Sequence, residues 1–273
     1  MINVLLALAA ALYAGTAAIL IASLVGARRF VPPVGAAVTA AAVVAQTAAL
    51  ALYTAQTREL PLVGMAPALC TLAYLLGGFL LPATVFKDTR PLALVLAPLA
   101  AILLLVAMIV GVHPAGEPMA FRGWWLGLHI VLGFVGYVCL AVAFAAGLLY
   151  LLQLRELKEK RFGRLFRFIP PLAVLDRVGR IALQVGFPAL TLNLALGWAW
   201  TVRFRNSLFI ENPQVVWGIL SWAVFVAALV AGTGGAGRGR RSALVSVFGF
   251  LVVVVAYLLW VGPTGGQLFH VGV

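Results

Sequence analysis

Residues 124–153 read WWLGLHIVLGFVGYVCLAVAFAAGLLYLLQ, thirty positions without a single Asp, Glu, Lys or Arg. A run of about 20 apolar residues is enough for an α-helix to cross the hydrocarbon part of a bilayer. In lipid, every backbone N–H and C=O must be satisfied within the segment. An unbroken apolar run of this length therefore predicts a membrane-spanning helix, and it decides the class of fold.

The rest of the chain has the same apolar character. Of the 273 residues, 64% are hydrophobic and 10% are charged, whereas soluble domains are about 45–50% apolar and about 25% charged. The length leaves room for about eight spans and for no separate soluble domain. We expect an all-α polytopic bundle and a single transmembrane domain over 1–273, with spans at about 2–26, 34–54, 63–85, 92–112, 124–153, 182–202, 214–232 and 243–262.

The positions of Lys and Arg predict the orientation of the chain. The loops after the first, third, fifth and seventh spans hold 15 of the 19 basic residues. Because basic loops stay in the cytoplasm, both termini are expected outside a bacterial cytoplasmic (inner) membrane. The net charge of +12 then reflects topology, and no nucleic-acid partner is expected.

The longest connection, the basic cytoplasmic loop 155–181, carries eight of these basic residues. It begins as a charged helical extension of the fifth span, which Pro170 and Pro171 are expected to stop. Beyond the prolines, apolar residues recur at helical spacing, and Asp176 and Arg180 form an i,i+4 pair. We expect an amphipathic helix that lies on the cytoplasmic surface and leads into the sixth span. It is either a connector pinned by anionic lipid or a docking site for a cytoplasmic partner.

Several kinds of chemistry find no support in the sequence. Paired acids, a Ser/His/Asp set and a metal-spaced cluster of His and acidic residues are all missing, so we expect no enzymatic activity. Cys70 and Cys139 lie singly inside apolar runs and form no CxxC motif. The glycine-rich run 232–241 lacks Gly-Lys-Ser/Thr and predicts a flexible turn.

All three histidines fall on the predicted outer side: His113 after the fourth span, His129 inside the fifth, and His270 in the tail. His129 lies about 6 Å further into the membrane than Trp125, so its imidazole needs a partner. Two imidazoles from separate elements can bind haem iron at both axial positions. A neighbouring hydroxyl or carbonyl would also satisfy His129, and His270 is otherwise a disordered tail residue.

Aromatic and basic residues gather near the outer loop between the sixth and seventh spans. A flat apolar macrocycle with two carboxylates would be held by aromatic surface and by arginine. The same tryptophans would also suit an interfacial belt. The candidates are Trp125, Trp198, Trp217, Arg203 and Arg205.

Motifs spread over residues 120–273 are similar to those of one known family. They include WLGLHI at 125–130, GLLYLLQ at 147–153, PPL at 170–172 and NPQVVW at 212–217. Together they resemble the cytochrome c assembly family of CcsA- and CcmC-like proteins, and most of all its eight-span HemX-like (or YpjD-like) branch. The first half of the chain matches only in its number of spans.

The resemblance implies handling of b-type haem at the outer membrane face, between two outer histidines beside a tryptophan-rich loop. By motif position these histidines are His129 and His270, with His113 as a substitute for the second. The family loop typically reads Trp-x-Trp-Asp-Pro-Lys, whereas residues 209–214 read FIENPQ here. The tryptophans, the aspartate and the lysine of that loop are thus replaced.

We therefore predict a haem-binding membrane protein of cytochrome c assembly type, a haem-handling accessory and not a catalyst. Its expected partners are haem, the lipid bilayer and cytochrome c assembly components. Two alternatives stay open. One is a HemX-like regulator that acts through the basic cytoplasmic loop on a haem-biosynthesis enzyme. The other is a small-molecule transporter without haem.

Overall fold

The computed structural model describes residues 1–25, 32–62, 64–113, 124–160, 163–204, 213–235 and 237–261. These residues form helices and contain no strand, which confirms the all-α prediction. A 3₁₀ turn lies at Arg90–Leu92. The helices are α1 (Ile2–Val25), α2 (Pro32–Thr57), α3 (Met65–Val85), α4 (Ala93–Val110), α5 (Trp124–Lys158), α6 (Arg164–Phe168), α7 (Leu172–Phe204), α8 (Pro213–Ala231) and α9 (Arg238–Val261).

Most of these helices have the length and composition of membrane spans. In the part of the chain that the structure describes, seven helices are long and apolar enough to cross a bilayer. The apolar stretch of α8, Val215–Ala231, is shorter. These eight helices correspond to the eight predicted runs. The protein is therefore a multi-pass membrane protein.

The connection between the fifth and sixth spans agrees with its prediction at one end and differs at the other. As expected, α5 continues beyond the apolar run, where an exposed ion pair joins Arg155 Nε to Glu159 Oε1 at 2.8 Å. The amphipathic segment, however, is not a separate surface helix. It forms the first turns of α7, which runs unbroken for 33 residues and accommodates Pro188 inside it. Gly179 lies between the amphipathic segment and the sixth span. A glycine costs a helix only about 1 kcal/mol, which is too little to end it there.

The described residues group into two compact units. Unit 1 consists of Met1–Pro118 and Gln153–Pro171, and it contains α1 to α4 and α6. Unit 2 consists of Met119–Leu152 and Leu172–Val273, and it contains most of α5 together with α7 to α9. The single transmembrane domain over 1–273 stays a prediction.

Unit 1 encloses a polar cluster between α1, α2 and α3. Tyr13 Oη donates to Gln46 Oε1 at 2.8 Å, and Gln46 Nε2 donates to the backbone oxygen of Cys70 at 2.9 Å. Tyr13 and Gln46 are fully buried. Gly77 leaves the space for this contact, since a Cβ at position 77 would overlap the Tyr13 hydroxyl. Hydrogen bonds of this kind link helices in lipid, where water is not available as a partner.

In unit 2, glycines bring α5 and α7 close together. A Cβ at Gly133 would lie 2.8 Å from Asn193 Nδ2, and a Cβ at Gly136 would lie 3.2 Å from Leu190 Cβ. The numbering rises along α5 as it falls along α7, so the two helices are antiparallel. Small residues allow such an approach, and van der Waals packing stabilises helix pairs in lipid.

The tryptophans of α8 join it to the other helices of unit 2. Trp222 Nε1 donates to Thr191 Oγ1 of α7 at 2.9 Å. Trp217 Nε1 donates to the backbone oxygen of Val253 in α9, also at 2.9 Å. The Trp217 ring stacks on Tyr137 of α5, with centroids 4.6 Å apart. These contacts place α8 against all three partners.

Candidate functional site

The candidate site lies where the start of α5 meets the last turns of α7. Trp125 and His129 are four residues apart on α5 and therefore share one face of that helix. Trp125 Nε1 donates to the backbone oxygen of Leu196 at 3.2 Å. His129 Nδ1 lies 2.8 Å from the backbone oxygen of Asn193. Both α5 side chains thus contact the backbone of α7 within unit 2.

The contact between His129 and Asn193 sets the tautomer of the imidazole. A carbonyl oxygen can only accept a hydrogen bond, so the 2.8 Å separation favours a proton on His129 Nδ1 over a lone pair there. A neutral imidazole then keeps a lone pair on Nε2. Nε2 has no hydrogen-bond partner among the residues that the structure describes. This is the protonation state in which histidine binds a metal through Nε2.

The side chain of Asn193 makes a second link between the two helices. Its Nδ2 donates to the backbone oxygen of His129 at 2.6 Å and lies 3.1 Å from His129 Nδ1. The amide orientation follows, because an oxygen at that position would face a carbonyl oxygen. Asn193 is only 8% exposed, and the absent side chain of Gly133 provides its space. His129 and Asn193 therefore exchange hydrogen bonds in both directions.

Gly197 makes room for the imidazole ring. A Cβ at this position would lie 2.8 Å from His129 Cε1 and 3.3 Å from Nδ1, but 3.7 Å from Nε2. The ring thus turns its Nδ1–Cε1 edge towards α7. Any side chain at position 197 would push this edge away from the Asn193 carbonyl.

The structure separates the predicted tryptophans into two groups. Trp125 and Trp198 lie at the same end of unit 2 as His129, and they are 38% and 56% exposed. Trp217 is packed against Tyr137 and α9. Tyr137 follows His129 by about 12 Å along the axis of α5, so Trp217 contributes to helix packing at greater depth.

The remaining predicted site side chains lie outside the described part of unit 2. His270, Arg205 and the side chain of Arg203 fall outside the described residues. His113 belongs to unit 1, where it follows α4 and folds back against Gly111. Within the described ranges, no group of three or more His, Cys, Asp or Glu residues could hold a metal ion. The pairing of His129 with a second histidine stays a prediction.

Sequence reasoning missed Asn193 and Gly197. One signal was present: an asparagine inside an apolar span is costly in lipid and needs a polar partner. Asn193 precedes Trp198 by five positions, much as His129 follows Trp125 by four. If these tryptophans mark one membrane interface, the two polar residues lie at similar depth in antiparallel spans.

The chain is similar to several curated proteins. It is 27% identical over 154 residues to the cytochrome c biogenesis protein CcsA of Guillardia theta, covering 51% of each chain. An uncharacterized 28.8 kDa protein of Azospirillum brasilense is 30% identical over 135 residues, covering 50% of each chain. CcsA of Synechococcus elongatus is 36% identical over 84 residues, covering 31% of this chain and 26% of that protein. The chain thus matches about half the length, or less, of these curated relatives.

A comparison with protein families gives broader coverage than these pairwise matches. The family described as "Cytochrome C assembly protein" matches residues 4–261. That range includes α1 to α4, which resembled the family only in span count. The resemblance to the HemX-like branch stays a prediction, but the family resemblance is confirmed over nearly the whole chain, and the protein belongs to the cytochrome c assembly protein family.

Proposed function

We propose that this protein binds and handles b-type haem at the outer face of a bacterial inner membrane, as an accessory of cytochrome c assembly and not as an enzyme. One observation carries the proposal. His129 is held with its Nδ1–H on a backbone carbonyl and its Nε2 without a hydrogen-bond partner among the described residues. Family membership supports the same function, since relatives such as the Guillardia theta CcsA are named for cytochrome c biogenesis.

The residues at the site have the chemistry that haem requires. An imidazole nitrogen is a common axial ligand of haem iron. Histidines that bind metals usually donate their other N–H to a carbonyl or carboxylate, as His129 does to Asn193. The exposed rings of Trp125 and Trp198 offer apolar surface to a macrocycle. Bound haem would supply the iron, and His129, Trp125 and Trp198 would hold the haem.

The second half of the haem site is part of the proposal. The family resemblance suggests His270 as the second axial ligand, with His113 as its substitute. Arg203 and Arg205 would bind the haem carboxylates. Binding would be non-covalent, because the sequence holds no CxxCH motif.

The distribution of charge supports the proposed orientation. The loops predicted as cytoplasmic hold 15 of the 19 Lys and Arg residues. By the positive-inside rule, the start of α5 and the end of α7 then face outwards. His129, Trp125 and Trp198 would lie near that outer face, where the family resemblance implies haem handling.

The test is the absorption spectrum of the protein purified from haem-supplied cells. The wild type should show a Soret band, and His129→Gly should lose it. Losing a supporting contact of a metal ligand already lowers affinity by about 10–100-fold, so loss of the ligand should lower haem affinity by more than about 100-fold. Added imidazole should restore the band in His129→Gly by filling the vacated space.

Imidazole rescue is the control for folding, because a misfolded variant would not regain haem. An unchanged Soret band in His129→Gly would contradict the role of His129. A wild-type protein that takes up no haem would contradict the proposed function and favour the transporter alternative.

A further inference from the structure

Asn193 and Gly197, one helical turn apart on α7, contact His129 in three ways. The Asn193 carbonyl accepts from His129 Nδ1, and the Asn193 amide donates to the His129 backbone. Gly197 supplies the clearance that lets the ring approach. We propose that Asn193 and Gly197 form a clamp that holds His129 in the Nδ1–H tautomer with Nε2 directed away from α7.

The access of the His129 ring to the backbone oxygen of Asn193 depends on Gly197. In an α-helix, the residue four positions after a carbonyl lies directly beyond it. A side chain at 197 would therefore cover the Asn193 oxygen on the side from which the ring approaches. A Cβ at 197 would come within 2.8 Å of the ring, closer than such contacts normally occur. The glycine thus converts an ordinary helix carbonyl into an acceptor for the imidazole.

The amide of Asn193 fixes the distance between the two helices at this point. Its Nδ2 donates to the His129 backbone oxygen at 2.6 Å, and the amide fills the space beside Gly133. A hydrocarbon side chain of similar size could fill that space, but it could not donate. The hydrogen bond therefore sets the height of His129 relative to its acceptor carbonyl.

The clamp would make α7 a positioning element for the haem ligand. A hydrogen bond from Nδ1–H to a carbonyl raises the basicity of the other ring nitrogen and fixes the plane of the ring. Asn193 and Gly197 are positioning residues in this sense, because they act through His129. The statement about haem rests on the proposed function, whereas the statement about the tautomer concerns the protein without ligand.

The first experiment measures the tautomer of His129 without haem. Protein carrying ¹⁵N-labelled histidine is reconstituted in lipid and examined by solid-state NMR at a pH where the ring is neutral, with His129→Leu to assign the signal. Neutral imidazole in water favours the Nε2–H tautomer, so a dominant Nδ1–H signal for His129 would support the clamp. A dominant Nε2–H signal would overturn it, whether or not the protein binds haem.

The second experiment compares two glycine-to-alanine variants. Gly197→Ala should displace the His129 ring and shift it to the Nε2–H tautomer that imidazole favours in water. The haem affinity should fall by about 10–100-fold. Gly218→Ala is the matched control, because its Cβ would meet Leu194 Cδ2 at a similar 2.9 Å in the same unit. The control should keep the tautomer and the haem affinity of the wild type. Equal effects of the two variants, or no effect of Gly197→Ala, would overturn the clamp.

Asn193→Leu tests the side-chain amide of Asn193 separately from its backbone carbonyl. This variant keeps the backbone acceptor but loses the donor, so His129 should show a mixture of tautomers and a haem affinity between those of the wild type and Gly197→Ala. If His129 in Asn193→Leu gave the same ¹⁵N signal as the wild type, the Asn193 amide would not be part of the clamp. If the wild type binds no haem at all, the proposed function fails, while the NMR result still decides whether the clamp exists.

Discussion

Both units contain polar side chains packed between apolar helices, but the two groups are arranged differently. In unit 1, the Tyr13 hydroxyl and both ends of the Gln46 amide have hydrogen-bond partners among the described residues. In unit 2, the His129–Asn193 pair is equally close, yet one imidazole nitrogen keeps a lone pair that the described residues do not use. The first arrangement serves to hold helices together, whereas the second retains a group that can bind something else.

This difference also suggests how to distinguish structural from functional polar residues in membrane spans. Burial alone does not separate them, because Gln46 is fully buried and Asn193 nearly so. The useful question is whether the hydrogen-bonding capacity of the group is used up inside the protein. The predictions that follow test whether the two clusters really differ in this way.

The largest effect on stability is expected for Gly77→Ala in unit 1. The added Cβ would overlap the Tyr13 hydroxyl, so Tyr13 must move and its bond to Gln46 is lost. Overpacking and a broken buried hydrogen bond together should lower the free energy of unfolding by about 3 kcal/mol. Unfolding in mixed detergent micelles, followed by circular dichroism, measures the change.

Gly78→Ala is the control for this prediction, because a Cβ at position 78 meets nothing within 4 Å. Alanine is also the better helix former, so this variant should be as stable as the wild type or slightly more stable. Similar losses for Gly77→Ala and Gly78→Ala would contradict a specific role for the polar cluster.

A smaller effect is expected for Tyr13→Phe. The change removes one donor and leaves Gln46 Oε1 without it, at a cost of about 1 kcal/mol. Haem content should not change, because the cluster is complete within unit 1. Tyr74→Phe is the reference, since the Tyr74 hydroxyl accepts an exposed hydrogen bond from Thr47. A loss of haem in Tyr13→Phe would end the distinction between a structural and a functional cluster.

The smallest effect on stability is expected for His129→Leu. Asn193 Nδ2 can still donate to the backbone oxygen at position 129, and hydrogen bonds between spans average about 0.6 kcal/mol. The free energy of unfolding should therefore stay within about 1 kcal/mol of the wild type in the absence of haem. A loss as large as that of Gly77→Ala would show that the imidazole serves mainly to hold α5 and α7 together.

Much of the fold could be predicted because the bilayer fixes the length of each apolar run. The eight predicted runs correspond to eight helices on this account. The beginning of α7 was harder to predict. Amphipathic periodicity identified a helix after Pro171, but periodicity alone does not say whether a helix ends before the span that follows. Here it continues, and the helix from Leu172 to Phe204 accommodates Pro188 without ending.

The candidate site was only half predictable. His129 stood out because an imidazole inside an apolar run needs a partner. The partner itself, Asn193, lies 64 positions away, and its register with α5 depends on how closely Gly133 and Gly197 allow the helices to approach. Such a register arises from packing between distant segments and leaves no local periodicity in the sequence.

The unbroken length of α7 has a mechanical consequence. Its 33 residues measure about 50 Å at a rise of 1.5 Å per residue, against about 30 Å of hydrocarbon. The helix therefore protrudes into the headgroup layer, where the ion pair of Asp176 and Arg180 lies near its start. Between this pair and Asn193, Pro188 removes one backbone hydrogen bond, so bending would concentrate there.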